Sequence, residues 1–313
     1  MNTLKIFTNK KLIIVFAAFC CLLWGSAFPA VKIGYTLFGI SADDIPSKLL
    51  FAGFRFTLSG IIVLLLALIT KRNIFTLNKK NVVQLIILGF SQTCLQYIFF
   101  YIGLGYTTGV KGSIMSGTGT FFSVIMAHFI YTNDKLTLNK TLGCLLGFSG
   151  VILINFSPDL LRFTFLIKGE GFVMFSAFIL SAASIYGKKV SQSMDSMIVT
   201  GYQLTIGGIF LLTAGFTNHG IISSFTIAST SLLIYLAVLS AVAFALWAAL
   251  LKYNKVGEIT MYNFLIPVFG VILSSLFLNE NIMKIKNLIA LIFVCAGIIL
   301  SNKILWKSYK TCD

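Results

Sequence analysis

"FRFTLSGIIVLL" at residues 54–65 returns as "YQLTIGGIFLL" at 202–212. Thr57, Gly60, Ile61 and Leu64 meet Thr205, Gly208, Ile209 and Leu212 at a spacing of 148. "FFSVI" (121–125) meets "VFGVI" (268–272) at 147, and so does "GVILIN" (150–155) with "GIILSN" (297–302). Nearly one spacing, kept across three separate segments, reads as a duplication. It divides the chain into a first half, 1–157, and a second, 158–313.

Composition says what each half is made of. Of the 313 residues, 58% are hydrophobic and 11% charged, where a soluble domain carries about 25% charged residues. Water cannot solvate such a surface, so the solvent is a bilayer. A helix crosses the hydrocarbon with about 20 apolar residues. Ten runs qualify: 12–38, 49–70, 82–104, 109–130, 139–156, 169–187, 196–216, 230–251, 258–278 and 285–305. Backbone groups in lipid must pair internally, which makes the runs helices. The first is too long for a signal-peptide core and lacks a cleavage site. The expectation is an all-α integral membrane protein of ten transmembrane helices.

Five helices per half is an odd number, so the second copy enters the membrane upside down. Loop charges agree. The loop 71–81 carries Lys71, Arg72, Lys79 and Lys80, while its partner, 217–229, carries no Lys or Arg. Two inverted five-helix repeats are a transporter architecture, with the solute held between the halves near the midplane.

The net charge of +15 raises the question of nucleic acid, and its placement answers it. With the N-terminus cytoplasmic, 16 of the 24 basic residues fall in cytoplasmic segments: Lys5, Lys10, Lys11, Lys71, Arg72, Lys79, Lys80, Lys135, Lys140, Lys188, Lys189, Lys252, Lys255, Lys303, Lys307 and Lys310. Six fall outside: Lys48, Lys111, Arg162, Lys168, Lys284 and Lys286. This is the positive-inside bias. It predicts a multi-pass protein of the plasma membrane, of the bacterial inner-membrane kind, with both termini cytoplasmic and no nucleic-acid partner. Cys20, Cys21, Cys94, Cys144, Cys295 and Cys312 show no metal-ligand spacing and read as small hydrophobes.

Several stretches together carry a resemblance. They are "WGSAFPAVK" (24–32), "FRF" (54–56), "YIGLGYTT" (101–108), "IPVFGVILSSLFLNE" (266–280) and "AGIILSN" (296–302). In order and spacing the chain resembles the drug/metabolite transporter superfamily, specifically the EamA-type group with two five-helix repeats. The resemblance covers nearly the whole chain and implies a solute transporter. One departure stands out. The proline common in the fourth helix of such proteins would fall near Thr120, whereas the ninth keeps Pro267.

Within the runs, Pro29 deletes a backbone hydrogen bond in the first helix, and Pro267 does so in the ninth. Both are candidate hinges. Lys32 and Arg55 are cations inside apolar runs; each either snorkels to the headgroups or faces a cavity. Gln203 is the repeat partner of Arg55. Ser116 and Thr118 lie on a helix dense in Gly, Ser and Thr, and its repeat partner holds Tyr262 and Asn263. With Ser26, the aromatics Trp24, Phe28, Tyr97, Tyr101, Tyr186, Tyr202 and Trp247 complete the candidate solute wall. His128, near a helix end, reads as structural.

None of the nine acids (Asp43, Asp44, Asp134, Asp159, Glu170, Asp195, Glu258, Glu280 and Asp313) sits at the centre of a run. Proton-coupled export of cationic drugs usually needs a carboxylate there. The reading is therefore a secondary transporter of amino acids or related zwitterionic or anionic metabolites. It would work by alternating access, as an exporter or facilitator. Multidrug or cation efflux by proton antiport is the alternative, and a non-transporting scaffold or receptor the third. No HExxH, Walker loop or interior carboxylate pair points to an enzyme, a metal or a cofactor. The partners expected are a small-molecule solute and the lipid bilayer; a monomer is compatible with the sequence, which leaves the oligomeric state open.

Overall fold

The computed structural model describes residues 3–41, 43–107, 109–156, 165–277 and 285–307. Asp159, Arg162, Glu280, Lys284, Lys310, Cys312, Asp313 and the 157/158 boundary lie outside them. After a short helix, Thr3–Thr8, ten long helical segments follow. They are α1 (Lys10–Leu37), α2 (Ile45–Ile69), α3 (Lys79–Tyr106), α4 (Gly109–Ile130), α5 (Leu138–Ile154) and α6 (Ile167–Ser193). Then come α7 (Ser196–Thr217), α8 (Ile227–Tyr253), α9 (Val256–Ile259, Thr260–Phe264 and Leu265–Phe277) and α10 (Ile285–Lys307). Each coincides with one apolar run. Six are long and apolar enough to cross a membrane on those grounds alone, and the protein is an all-α membrane protein. The starts are set by side-chain caps that satisfy the first free N–H groups: Asn9, Asp44, Asn78, Thr137, Asp195 and Thr226.

Three irregular stretches interrupt the helices: π turns at Phe90–Leu95 in α3 and Ile167–Gly171 in α6, and a 3₁₀ stretch at Thr260–Phe264 in α9. Such departures concentrate at functional sites.

The loops gather at two ends. At the basic end, Arg72 pairs with Asp195, Lys252 Nζ donates to the Met194 carbonyl (2.9 Å), and Asn254 Nδ2 donates to the Phe7 carbonyl (2.8 Å). At the opposite end, Ile221 N donates to Ser47 Oγ (2.8 Å) and Thr107 Oγ1 to Glu170 Oε1 (2.9 Å). The repeat-equivalent loops after α2 and α7 thus lie at opposite ends, as inversion requires.

The matched residues of the duplication form the scaffold. α2 packs along α7, with each repeat's glycine against the other's threonine. A Cβ on Gly60 would lie 2.4 Å from Thr205 N, and one on Gly208 would lie 2.5 Å from Thr57 N. Only glycine permits that approach. α5 and α10 repeat the arrangement: Gly150 meets Ala290 and Val294, and Gly297 meets their equivalents, Gly143 and Gly147. Between these two scaffolds, α1 packs on α8 and α9, and α6 packs on the equivalent α3 and α4.

The two groups of helices close on one another at the basic end. Thr120 Oγ1 of α4 donates to the Thr260 carbonyl of α9 (3.3 Å), and Phe121 faces Phe264. Asp134, held by Lys140, accepts from Gly257 N (2.8 Å). Toward the other end the contact loosens. Leu265–Phe277 packs mainly on α1. Ser116, one turn from buried Thr120 on the same face of α4, is exposed. Phe28 of α1, beside Gly270, is 45% exposed. Thr120 thus marks the limit of the contact between the two helix groups, and Ser116 and Phe28 beyond it are exposed.

Candidate solute pathway

Arg55 stands where the two helix groups meet. Its residue is only 5% exposed, deep in α2. Its Nε donates to Ser240 Oγ of α8 (2.8 Å), and the guanidinium lies 5.0 Å from the Phe56 ring centroid. Tyr35 of α1 and Tyr97 and Tyr101 of α3 are within its electrostatic reach. Among the described residues no carboxylate pairs with it. Guanidinium carries five N–H donors, so most of its capacity is unfilled. The Ser59 hydroxyl, one turn from Arg55 along the same helix face, is buried without a hydrogen-bond partner, and the buried Tyr35 hydroxyl turns toward Tyr101. Buried donors and acceptors are normally satisfied. The cluster sets unfilled hydrogen-bonding capacity beside a buried cation.

The duplication places a counterpart to this bridge. Position 55 maps to Gln203, and Ser240 maps back, at 147, to Thr93. Gln203 Nε2 donates to Thr93 Oγ1 (2.6 Å). The π turn holds Thr93 against α7, where a Cβ on Gly207 would come within 2.3 Å of it. Judged from the Gly60–Thr205 and Thr57–Gly208 contacts, the two bridges stand seven helical residues apart along α2 and α7, about 10 Å. Gln203 lies toward the basic end and Arg55 toward the opposite one.

An aromatic ladder joins them. Tyr101 follows Tyr97 (5.9 Å), which packs on Phe56 (4.7 Å) and through it on Phe244 (6.1 Å). Trp24 then meets Phe244 (5.4 Å) and Trp247 (5.1 Å). Phe244 and Trp247 line a small cavity of about 30 Å³ with Gln92, Ser184, Lys188 and Gln203.

Of the residues expected from sequence, Trp24, Arg55, Tyr97, Tyr101, Gln203 and Trp247 come together here. Others lie apart. Tyr202 turns its hydroxyl to the Ile74 carbonyl in the loop after α2 (3.0 Å). Tyr186 packs with Leu85, Leu88, Val190 and Val199. Ser26 bonds to the Leu23 carbonyl (2.8 Å) and the Tyr235 hydroxyl (2.9 Å). Lys32 is exposed, one turn beyond Phe28, and does not join Arg55. Ser116 and Thr118 bond to their own helix at Gly112 and Met115. Tyr262 is buried, and its carbonyl accepts from Cys21 Sγ (3.1 Å). Asn263 is half-buried, with Oδ1 unpartnered.

Pro29 sits inside α1, and its ring removes the bond to the carbonyl of Gly25, a residue packed against Phe269 of α9. Pro267 does the same for the Asn263 carbonyl, just past the 3₁₀ stretch. His128 bonds to the following loop through its carbonyl and Nδ1. Tyr35, Thr93, Ser240 and Phe244 escaped the sequence reading. The repeat spacing would have paired Thr93 with Ser240.

Comparisons with known proteins agree with the fold. The EamA-like transporter family matches residues 11–156 and again 167–303, and the chain belongs to that family. It is 27% identical over 293 residues to the "Uncharacterized transporter YvbV" of Bacillus subtilis, spanning 91% of this chain and 90% of that one. An "Uncharacterized transporter" of Archaeoglobus fulgidus is 28% identical over 270 residues, 84% of this chain and 88% of its own. A crystal structure described only as "Crystal structure of protein" superposes with a TM-score of 0.76 at 14% identity, over 95% of this chain and 98% of that one. That likeness speaks to the fold alone.

Proposed function

We propose that the protein is a secondary transporter that moves small organic solutes bearing a carboxylate, amino acids among them, by alternating access, as an exporter or facilitator. One observation carries the reading: a buried guanidinium, Arg55, which among the described residues has a single hydroxyl partner and no carboxylate beside it. A buried cation without a counter-charge is costly. A solute carboxylate supplies the missing charge, with two parallel hydrogen bonds to the guanidinium fork. The ladder of Tyr101, Tyr97, Phe244 and Trp247 suits the solute's apolar body. An organic cation would meet repulsion at the same place.

The positive-inside bias supports a cytoplasmic basic end in a plasma membrane. The outward opening then lies above Thr120, beside Ser116 and Phe28. Thr120–Thr260 and Asp134–Gly257 make the closed inner gate, and Pro29 and Pro267 are the points where α1 and α9 bend between states. The test is flux into proteoliposomes of a panel of amino acids, organic acids, their amides and cationic dyes, with and without a pH gradient. Transport of carboxylates but not of their amides is expected. Transport of the dyes driven by a pH gradient would overturn the reading in favour of cation efflux.

A further inference from the structure

The pocket on the basic side of Gln203 contains a second cation. Lys188 of α6 lines it together with Gln92, Ser184, Ser191, Thr200 and Gln203. Its Nζ crosses to the Asn254 carbonyl, in the link between α8 and α9, and lies 5.3 Å from the Tyr131 ring centroid. Asp134 and Glu258 are the charged groups near it, yet neither forms an ion pair with it. An ammonium has three donors, and one is accounted for.

Lys188 thus has two positions to serve. It is part of the pocket wall, and it ties α6 to the α8–α9 link at the closed end. Two neighbouring ties, Gln192 Nε2 to the Lys252 carbonyl (2.9 Å) and Lys252 Nζ to the Met194 carbonyl (2.9 Å), do similar joining. Neither Gln192 nor Lys252 lines the pocket. Of the three, Lys188 alone belongs both to a tie and to the pocket wall.

We propose that this pocket is a second anion half-site, with Lys188 as its cation, and that a solute carboxylate and the Asn254 carbonyl compete for the Lys188 ammonium. This rests on the carboxylate-transport reading and extends it from the open half to the closed one. The competition favours the carboxylate, because it brings a full negative charge to the ammonium where the carbonyl offers only a dipole. Its arrival releases α6 from the α8–α9 link and biases the basic end toward opening. A solute shifts a conformational equilibrium only through such differential contact. An amide of the same shape has no charge to offer and leaves the tie in place.

The experiment uses the full chain, solubilised, with its six cysteines replaced and Thr200→Cys introduced in the pocket wall. The rate of labelling by a thiol reagent is measured with benzoate, with glutarate and with benzamide. The carboxylates should raise the rate about fivefold, and benzamide should leave it unchanged. Lys188→Gln should label fast without any solute and respond to none, while Lys188→Arg should keep the response. Equal rates with benzoate and benzamide in the Lys188 protein would overturn the proposal, and that comparison needs no Lys188 variant to fold. So would a Lys188→Gln protein that labels as slowly as its parent. Flux is not read here, so failure of carboxylate transport and failure of this half-site are separate results.

Discussion

Arg55→Gln removes the charge at the centre of the pathway while keeping a hydrogen-bonding side chain near Ser240. The magnitude follows from the burial of the site. A unit charge about 4 Å from a carboxylate is worth about 4 kcal/mol at an effective dielectric near 20. The glutamine amide returns about 1 kcal/mol as a neutral hydrogen bond. A net loss of about 3 kcal/mol corresponds to roughly 100-fold weaker binding. Trp24 and Trp247 sit on the ladder, so their fluorescence reports titration of purified protein with benzoate and with benzamide. Affinity for benzoate should fall about 100-fold, and that for benzamide should hardly move. Arg55→Lys should lie between, since it keeps the charge but loses the planar fork. Stability should not suffer in Arg55→Gln, because the guanidinium removed is buried without a carboxylate. A folded Arg55→Gln protein that binds benzoate as the parent does would refute the assignment of the carboxylate to this residue.

Gly60→Val and Gly208→Val should cost folded yield and thermal stability alike, by about 1–3 kcal/mol each, because each side chain would press on the other repeat's backbone; a large difference between them would argue against symmetric packing. Asp134→Ala leaves the buried Lys140 ammonium without its counter-charge and should lower stability by about 3–5 kcal/mol, measured by thermal unfolding. Pro29→Ala and Pro267→Ala restore backbone hydrogen bonds in α1 and α9. They should express near normally yet change flux, and unchanged flux in both would reduce the two prolines to features of folding.

Much of the fold is legible because apolar runs of bilayer length have few alternatives. The ten runs end within a few residues of the helices, and the repeat stretch that pairs Thr57 and Gly60 with Thr205 and Gly208 turns out to be the scaffold contact itself. The site is less legible. These helices are apolar nearly all round, so periodicity does not say which face looks inward; Tyr202, counted as a wall residue, bonds to a loop carbonyl instead. The π turn that aims Thr93 at Gln203 has no signature in "FSQTCL". Lys188 was absorbed into the count of basic loop residues, although it lies on α6 and lines a pocket. Arg55 was visible as a cation in an apolar run, but only packing distinguishes burial beside Ser240 from a side chain reaching the headgroups.

Everything about the pathway depends on the two halves running through the membrane in opposite senses. Phe75 and Phe225 lie in the repeat-equivalent loops after α2 and α7, and both are exposed. The direct measurement is sided labelling of single cysteines at these two positions, with an impermeant thiol reagent, in vesicles of known orientation. The account predicts that Phe75→Cys reacts from the cytoplasmic face and Phe225→Cys only from the other. Reaction of both from one face would contradict the inverted repeat, and with it the pathway between Arg55 and Gln203.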